Sequence, residues 1–310
     1  MSVQQSRSHI TARPFLKWAG GKRQLLEQFR SMYPDNLAKN KVKHFHEPFL
    51  GSGAVFFDLV NHFKIETAHL YDINEELVLV YRVVQQDVYS LLEFLERYER
   101  DYLKLGKEKR LEYFYEQRTN FNLQRFNMDY NKYSEHWIPR AAQFIFLNRT
   151  CFNGLYRVNQ KGDFNTPAGD YSKPTICDAD NLQAVHQALG IAEIRIADFT
   201  DIVNEVQSHS FVYCDPPYRP ISRTASFKAY SRHDFHDAHQ IVLASVFRQL
   251  DKQGAQVMLS NSDPKNHDPH DHFFDDLYAG YRIERVSARR SINANATLRG
   301  AVKEIVVMNY

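Results

Sequence analysis

The sequence predicts a doubly wound α/β domain built from both ends of the chain, with a mainly helical insertion between them. Three observations carry this. A strand–turn–helix–strand pattern lies near the N-terminus, a long middle stretch has helical period, and strand–helix alternation returns in the last third.

The elements can be justified in order. Residues 45–49 read as a strand, 51–53 as a turn, 54–61 as a helix start and 69–71 as a second strand. From Glu76 to about Asn148 the texture is helical: Leu91, Leu92, Leu95, Tyr98 and Tyr102 recur at three- and four-residue spacing. Ile138, Ala141, Ala142 and Ile145 do so after Pro139, which suits a first helical turn. The stretch 113–133 is rich in Tyr, Phe, Asn, Gln and Arg, a texture that fits either a ligand surface or a packed helix. Residues 193–197, 211–214, 256–260, 282–288 and 304–309 read as strands, the inner ones nearly all apolar, with a helix over 234–250. The expected division is a domain made of 1–76 and 177–310, interrupted by a second of 77–176.

Composition bounds the function. The chain has 310 residues, 43% hydrophobic and 25% charged, ordinary for a soluble globular protein. No apolar run approaches the ~18 residues of a membrane span, and the first 13 residues lack a signal-peptide core, so a cytoplasmic protein without membrane contact is expected. Cys151, Cys177 and Cys214 form no CxxC pair or zinc-spaced cluster, which argues for reduced thiols and against a structural metal. Cys214 reads as a small buried strand residue. Net charge is only +2, but three basic runs stand out: Lys39, Lys41, Lys43, His44 and His46; Arg149, Arg157 and Lys161; and Arg282, Arg285, Arg289, Arg290 and Arg299. Each fits a solvated face, and together, interleaved with Asn, Ser, Tyr and Phe, they fit phosphate contact.

Three motifs carry chemistry. The first is Glu47-Pro48-Phe49-Leu50-Gly51-Ser52-Gly53, followed nineteen residues after Gly53 by Asp72. In a Rossmann-type unit a glycine turn after the first strand admits a cofactor to the backbone, and an acid ending the second strand binds ribose hydroxyls. Phe56 occupies the third glycine position of a dinucleotide fingerprint, so the loop suits a nucleoside with an uncharged linker better than a pyrophosphate. An ordinary strand–helix turn would look the same. The second motif, Phe15-Leu16-Lys17-Trp18-Ala19-Gly20-Gly21-Lys22, lacks the spacing of a phosphate-binding P-loop and is followed by Arg23. It fits a site holding an aromatic base and a carboxylate, or a hydrophobic staple before a helix.

The third motif is Phe211-Val212-Tyr213-Cys214-Asp215-Pro216-Pro217-Tyr218, an apolar strand ending in Asp-Pro-Pro-Tyr. Two prolines lock φ and cannot donate, so their carbonyls are expected to point outward. Asp215 and the Pro216 carbonyl then offer two acceptors, suited to the two protons of an exocyclic NH₂ group, at the end of a strand where α/β sheets bind ligands. Tyr218 offers a face to the ring that bears it; such stacking contributes ~1–3 kcal/mol.

With these motifs in this order, the chain resembles the Dam-type DNA adenine methyltransferases from Phe15 to its C-terminus. The resemblance implies a Rossmann-like S-adenosylmethionine-dependent methyltransferase fold in which 77–176 is the target-recognition domain. It implies cofactor-binding roles for Trp18, Lys22, Phe49, Gly51, Gly53, Asp72, Asp198, Phe199 and Asp215, and catalytic roles for Asp215, Pro216, Pro217 and Tyr218. Residues 152–157, Phe-Asn-Gly-Leu-Tyr-Arg, match the family's base-reading hairpin. There Phe152 would wedge into the base stack, Leu155 meet a thymine methyl and Arg157 read a guanine, with Lys17 helping to read another and Arg149 and Asn153 as further DNA contacts. The segment looks closest to the branch that modifies adenine in GATC. The implied cofactor is S-adenosylmethionine with no metal. The implied partners are double-stranded DNA of the nucleoid and a cognate restriction endonuclease acting independently. Cytosine-N4, RNA or protein-glutamine methylation, a nicotinamide dehydrogenase and an inactive DNA-binding module are the competing readings.

Overall fold

The computed structural model describes residues 11–219, 235–289 and 301–310. Seven strands form one sheet in the order β3-β2-β1-β4-β5-β7-β6. They are β1 (His44–Glu47), β2 (Thr67–Asp72), β3 (Ala192–Ile196), β4 (Phe211–Cys214), β5 (Gln256–Ser262), β6 (Arg282–Arg289) and β7 (Ala301–Met308). The first five pair in parallel, and β7 lies antiparallel to both β5 and β6. The chain winds outward from β1 to β3, then returns to β4 beside β1. The crevice at the carboxyl ends of β1 and β4 is therefore the switch point where such sheets bind ligands.

Strand periodicity sorts the core onto two faces. Phe211, Tyr213, Met258, Val306 and Met308 belong to one hydrophobic cluster, while Val212, Cys214, Val257, Leu259, Ile305 and Val307 belong to the other. Cys214 is thus a core residue, its thiol pushed up by burial. Outside the sheet lie α1 (Leu26–Arg30), α2 (Asp35–Ala38) and α3 (Ala54–His62). Between β2 and β3 come α4 (Glu75–Leu103), α5 (Lys107–Gln124), α6 (Trp137–Thr150) and α7 (Ala179–Ala188); α8 (Asp237–Lys252) and α9 (Phe273–Leu277) follow β4 and β5.

The inserted helices are joined firmly to the sheet. Asn74 caps α4 by accepting from Leu77 N at 3.2 Å. The helix breaks at Asp87, whose φ/ψ of −146/47 is not helical, and packs against β2 and β3 as well as α6 and α7. The expected junction at 76/77 falls inside α4. There Arg140 of α6 makes a buried ion pair with Glu76, and Tyr130 OH donates to the same carboxylate at 2.6 Å.

Several boundaries shift for local reasons. The first strand ends at Glu47 rather than residue 49, because Pro48 has no N–H to continue a ladder. The helix expected from residue 234 begins at Asp237, where the side chains and backbones of His236 and His239 cap one another; residue 234 lies outside the described residues. Among the described residues, no helix is long and apolar enough to cross a membrane.

In two of the basic runs some members are buried or paired. His46 is buried, its pKa pushed down to about 3 by burial and the neighbouring His69, so it is neutral, while Lys39 pairs with Asp35 and Lys43 with Glu66. Arg285 pairs with Asp263 and Asp275, and Arg282 with Glu284. Arg290, Arg299 and the side chain of Arg289 lie outside the described residues.

Candidate active site

Asp215 follows the last residue of β4, and its carboxylate is held at both oxygens. Lys22 Nζ lies 2.7 Å from Oδ2. Ser260 Oγ, one strand over on β5, donates to Oδ1 at 3.0 Å and is itself 2.8 Å from Tyr213 OH. Lys22 is only 3% exposed. It also donates to Gly20 O at 2.6 Å and stands 4.6 Å above the Tyr218 ring. Burial raises the Asp215 carboxyl above the ordinary carboxylate range, and the Lys22 ammonium opposes that rise. Tyr218 OH donates to Glu304 on β7, whose carboxyl is likewise pushed up by burial.

The two prolines differ from the expectation that both carbonyls face outward. The Pro217 carbonyl accepts from Gln240 Nε2 at 3.2 Å, and Gln240 Oε1 in turn accepts from Asn261 at 3.1 Å. Gln240 and Asn261 are fully buried, and an amide so placed must find partners, which the Pro217 carbonyl supplies. Arg219 then closes the turn with ion pairs to Asp237 and Asp271.

Beside this turn lies the glycine loop. Gly51 and Gly53 have φ of +47° and +64°, the left-handed region that favours glycine. Gly51 N donates to Asp72 Oδ2 at 3.0 Å and Asn74 N to Oδ1 at 2.9 Å, which aims the Asp72 carboxylate at the loop. A Cβ on Gly51 would lie 3.0 Å from Trp18 Cδ1, and one on Gly53 2.9 Å from Tyr81 OH. Phe49 and Phe199 stack with centroids 5.4 Å apart, and Phe235 meets Phe49 edge-on at 5.9 Å. Asp198 is exposed and accepts from Thr200 N and Oγ1 at 3.0 and 2.7 Å. Glu47 is buried beside Asp215 and Asp72, its carboxyl raised well above the usual range by that burial, and its Oε2 has no hydrogen-bond partner among the described residues.

The segment 152–157 lies in a hairpin. Cys151 bridges Ala168 and Val158 bridges Phe164, both antiparallel. Phe152 is 53% exposed at its start, and Asn153 (φ +55°) and Gly154 turn the chain. Tyr156 points inward, stacked on Trp18 at 5.6 Å and on Phe144 at 5.1 Å. Leu155 is half-buried, and Arg157 Nε donates to Asn165 Oδ1 across the hairpin at 2.7 Å. Lys17 Nζ sits 4.3 Å over the Tyr171 ring. Arg149 is half-buried on α6 and donates to Phe15 O at 2.7 Å, so its guanidinium ties the N-terminal segment down.

The structure thus gathers Trp18, Lys22, Gly51, Gly53, Asp72, Asp215 and Tyr218 around one crevice, with the 151–168 hairpin beside it through the Trp18–Tyr156 stack. A site so built can hold a nucleoside cofactor and a second aromatic base that bears an amino group.

Comparison with known proteins agrees with this chemistry. Residues 18–292 match the D12 class N6 adenine-specific DNA methyltransferase family. The chain is 45% identical to the type II methyltransferase M.MjaIII of Methanocaldococcus jannaschii, over 97% of this chain and 100% of that one. It is 37% identical to M1.LlaDCHI of Lactococcus lactis, over 98% of each. With the DNA adenine methylase of Escherichia coli K12 it shares 31% identity, over 96% of this chain and 95% of the other. The chain belongs to the D12 class of N6 adenine-specific DNA methyltransferases: it transfers a methyl group to the amino nitrogen of adenine in DNA.

The family implies S-adenosylmethionine as donor, and the residues present fit it. The cofactor carries an ammonium, a sulfonium and ribose hydroxyls. The crevice offers the Glu47 oxygen that lacks a partner among the described residues, the Asp215 carboxylate and the Asp72 carboxylate.

Four groups at this site were not singled out from the sequence: Glu47, Gln240, Ser260 and Glu304. Glu47 stands inside a motif whose glycines draw the attention. The others lie on α8, β5 and β7, where only strand order brings them to β4. The switch from apolar Val257-Met258-Leu259 to polar residues that are still buried, beginning at Ser260, is the one signal available.

Proposed function

We propose that the enzyme methylates adenine within GATC in double-stranded DNA, extruding the target base and transferring the methyl group directly. Residues 77–176 supply target recognition, and Lys17, Phe152, Asn153, Leu155 and Arg157 meet the DNA. The observation that carries this reading is the reach of one short segment, 17–22, from the hairpin to the catalytic carboxylate. Lys17 lies at the hairpin, Trp18 stacks on Tyr156, and Lys22 pairs with Asp215. Base reading and chemistry are thereby built on one stretch of backbone.

The chemistry follows from the geometry. An adenine amino group inside a duplex is out of reach, and extrusion costs a few kcal/mol. Stacking of the base on Tyr218 returns ~1–3 kcal/mol, and Phe152, exposed at the hairpin's start, fills the gap left behind. The amino lone pair is shared with the ring, so the nitrogen is a poor nucleophile. Each Asp215 oxygen already takes one donor, Lys22 or Ser260, and keeps a lone pair for an adenine N–H. The Pro216 carbonyl takes the other N–H. Held this way the nitrogen is drawn toward tetrahedral geometry, with its lone pair aimed along the line of transfer.

S-adenosylmethionine supplies a methyl group on a positively charged sulfur. With that cofactor bound, transfer would exchange the sulfonium C–S bond for the new N–C bond, and the amino nitrogen would shed one proton. The Asp215 carboxyl, raised by burial with the Lys22 ammonium opposing that rise, is placed to receive it. Positioning alone lowers such a barrier by ~7–11 kcal/mol.

Two relatives are named type II methyltransferases. By that likeness, a restriction endonuclease acting on the same sequence is the proposed counterpart, and the nucleoid in the cytoplasm the proposed place. The test is Arg157→Ala on GATC and singly substituted duplexes. A bidentate Arg–guanine contact discriminates by ~1–3 kcal/mol, so the variant relaxes the preference at one guanine about tenfold or more while overall binding changes less. Equal weakening on every duplex would show that Arg157 holds phosphate and would remove this reading of the hairpin.

A further inference from the structure

Asn148, in the last turn of α6, is 2% exposed, and its side-chain amide engages both segments assigned above to base reading. Oδ1 accepts from Lys17 N at 2.9 Å; Nδ2 donates to Lys17 O at 2.8 Å and to Gly154 O at 3.0 Å. Lys17 is therefore held through both backbone groups, as a neighbouring strand would hold it, and the turn preceding Leu155 is fixed to the same amide. The contact is also sterically closed. Gly154 has φ +65°, and a Cβ there would fall 2.3 Å from Lys17 Cδ and 2.4 Å from Lys17 Cβ.

This combination of one acceptor and two donors in a short planar group is particular to Asn. Asp keeps the acceptor and loses both donors, while an apolar residue leaves three backbone groups without this partner, the Gly154 carbonyl among them buried. The hydrogen-bonding need explains a polar residue amid Ile145, Phe146 and Leu147, all buried.

We propose that Asn148 is a positioning residue for sequence readout, setting the register of Lys17 against Leu155 and Arg157 so that the two base-reading segments act as a unit. The proposal rests on the assignment of Lys17 and Arg157 as base contacts. It adds that discrimination at the Lys17 position depends on an amide that itself touches no DNA.

The experiment measures kcat/KM on the cognate duplex and on duplexes with one base pair changed, together with cofactor affinity and melting temperature. The variants are Lys17→Ala, Asn148→Ala, their double and Gly154→Ala. Asn148→Ala is expected to lower the cognate-to-noncognate ratio about tenfold, at the position that Lys17→Ala relaxes. Cofactor Kd stays within about twofold, and the double variant discriminates no worse than Lys17→Ala. Gly154→Ala disturbs the same contact from the hairpin side and is expected to show the same loss; it carries the test if Asn148→Ala does not fold. A folded Asn148→Ala or Gly154→Ala protein with the full ratio overturns the proposal, as does equal loss of activity on all duplexes. If Lys17→Ala itself keeps the full ratio, the base-reading assignment fails first and the positioning role falls with it.

Discussion

Lys22 Nζ and Asp215 Oδ2 lie 2.7 Å apart, joining two segments distant in sequence at the carboxyl edge of β4. Burial raises the Asp215 carboxyl and Lys22 lowers it, so the pair sets the pH at which the acceptor is available. Transfer needs the ionised carboxylate, and activity is lost as pH falls through the carboxyl's pKa in the folded enzyme. Lys22→Leu removes the opposing charge and leaves burial unchecked. The acid limb of kcat, measured at saturating DNA and cofactor, is expected to move to higher pH in Lys22→Leu and to stay nearer wild type in Lys22→Arg. An unmoved limb in Lys22→Leu would show that Asp215 does not govern it.

Glu304 fixes the far end of the Tyr218 ring through its hydroxyl. A hydrogen bond to a charged partner contributes about 1.5–3 kcal/mol. Glu304→Leu is accordingly expected to reduce kcat/KM for DNA by about tenfold or more, and Glu304→Gln, which keeps an acceptor, by less. In a Tyr218→Phe background the Glu304→Leu change should add little, because the hydroxyl it serves is gone. Additive losses would mean that Glu304 acts elsewhere.

Much of this architecture was legible in the sequence, for identifiable reasons. Strand β4 is buried on both faces and reads as an apolar run, β5 carries the apolar stretch Val257-Met258-Leu259, and the Asp-Pro-Pro-Tyr and Gly-Ser-Gly turns punctuate the chain where the sheet ends. What was not legible depends on lateral strand order. Nothing local says that Ser260 and Glu304 reach β4, since β5 and β7 join it only through the order of the sheet. Charge alone also says nothing about burial: Arg149 is half-buried, and its guanidinium donates to Phe15 O at 2.7 Å. Conversely, Asn148 looks like an unremarkable helix residue until Lys17 and Gly154 arrive from either side.

Gly51 tests the cofactor half independently of DNA. Its φ of +47° strains any other residue, and a Cβ would press on Trp18 at 3.0 Å. Gly51→Ala carries a strain of ~1–2 kcal/mol in the left-handed region; relief of that strain displaces the loop, and S-adenosylmethionine binding is expected to weaken by about tenfold with affinity for duplex DNA unchanged. Calorimetric titration of each ligand reads the two separately, and an equal loss of both would indicate general misfolding.

Phe152 stands at the hairpin's start with half its surface open. Phe152→Ala is expected to reduce the fluorescence rise of a 2-aminopurine placed at the target position, and to slow methylation of duplex more than of a substrate whose target base is mismatched. A rise equal to wild type would assign the wedge to another side chain.

The account is tested most directly by the product itself. Purified enzyme is incubated with S-adenosylmethionine and unmethylated genomic DNA, and the modified bases are mapped by single-molecule sequencing. N6-methyladenine confined to GATC is the expected result. Methyladenine at another sequence would contradict the reading of Leu155 and Arg157, and methylcytosine would contradict the assignment of the base held between Asp215, Pro216 and Tyr218.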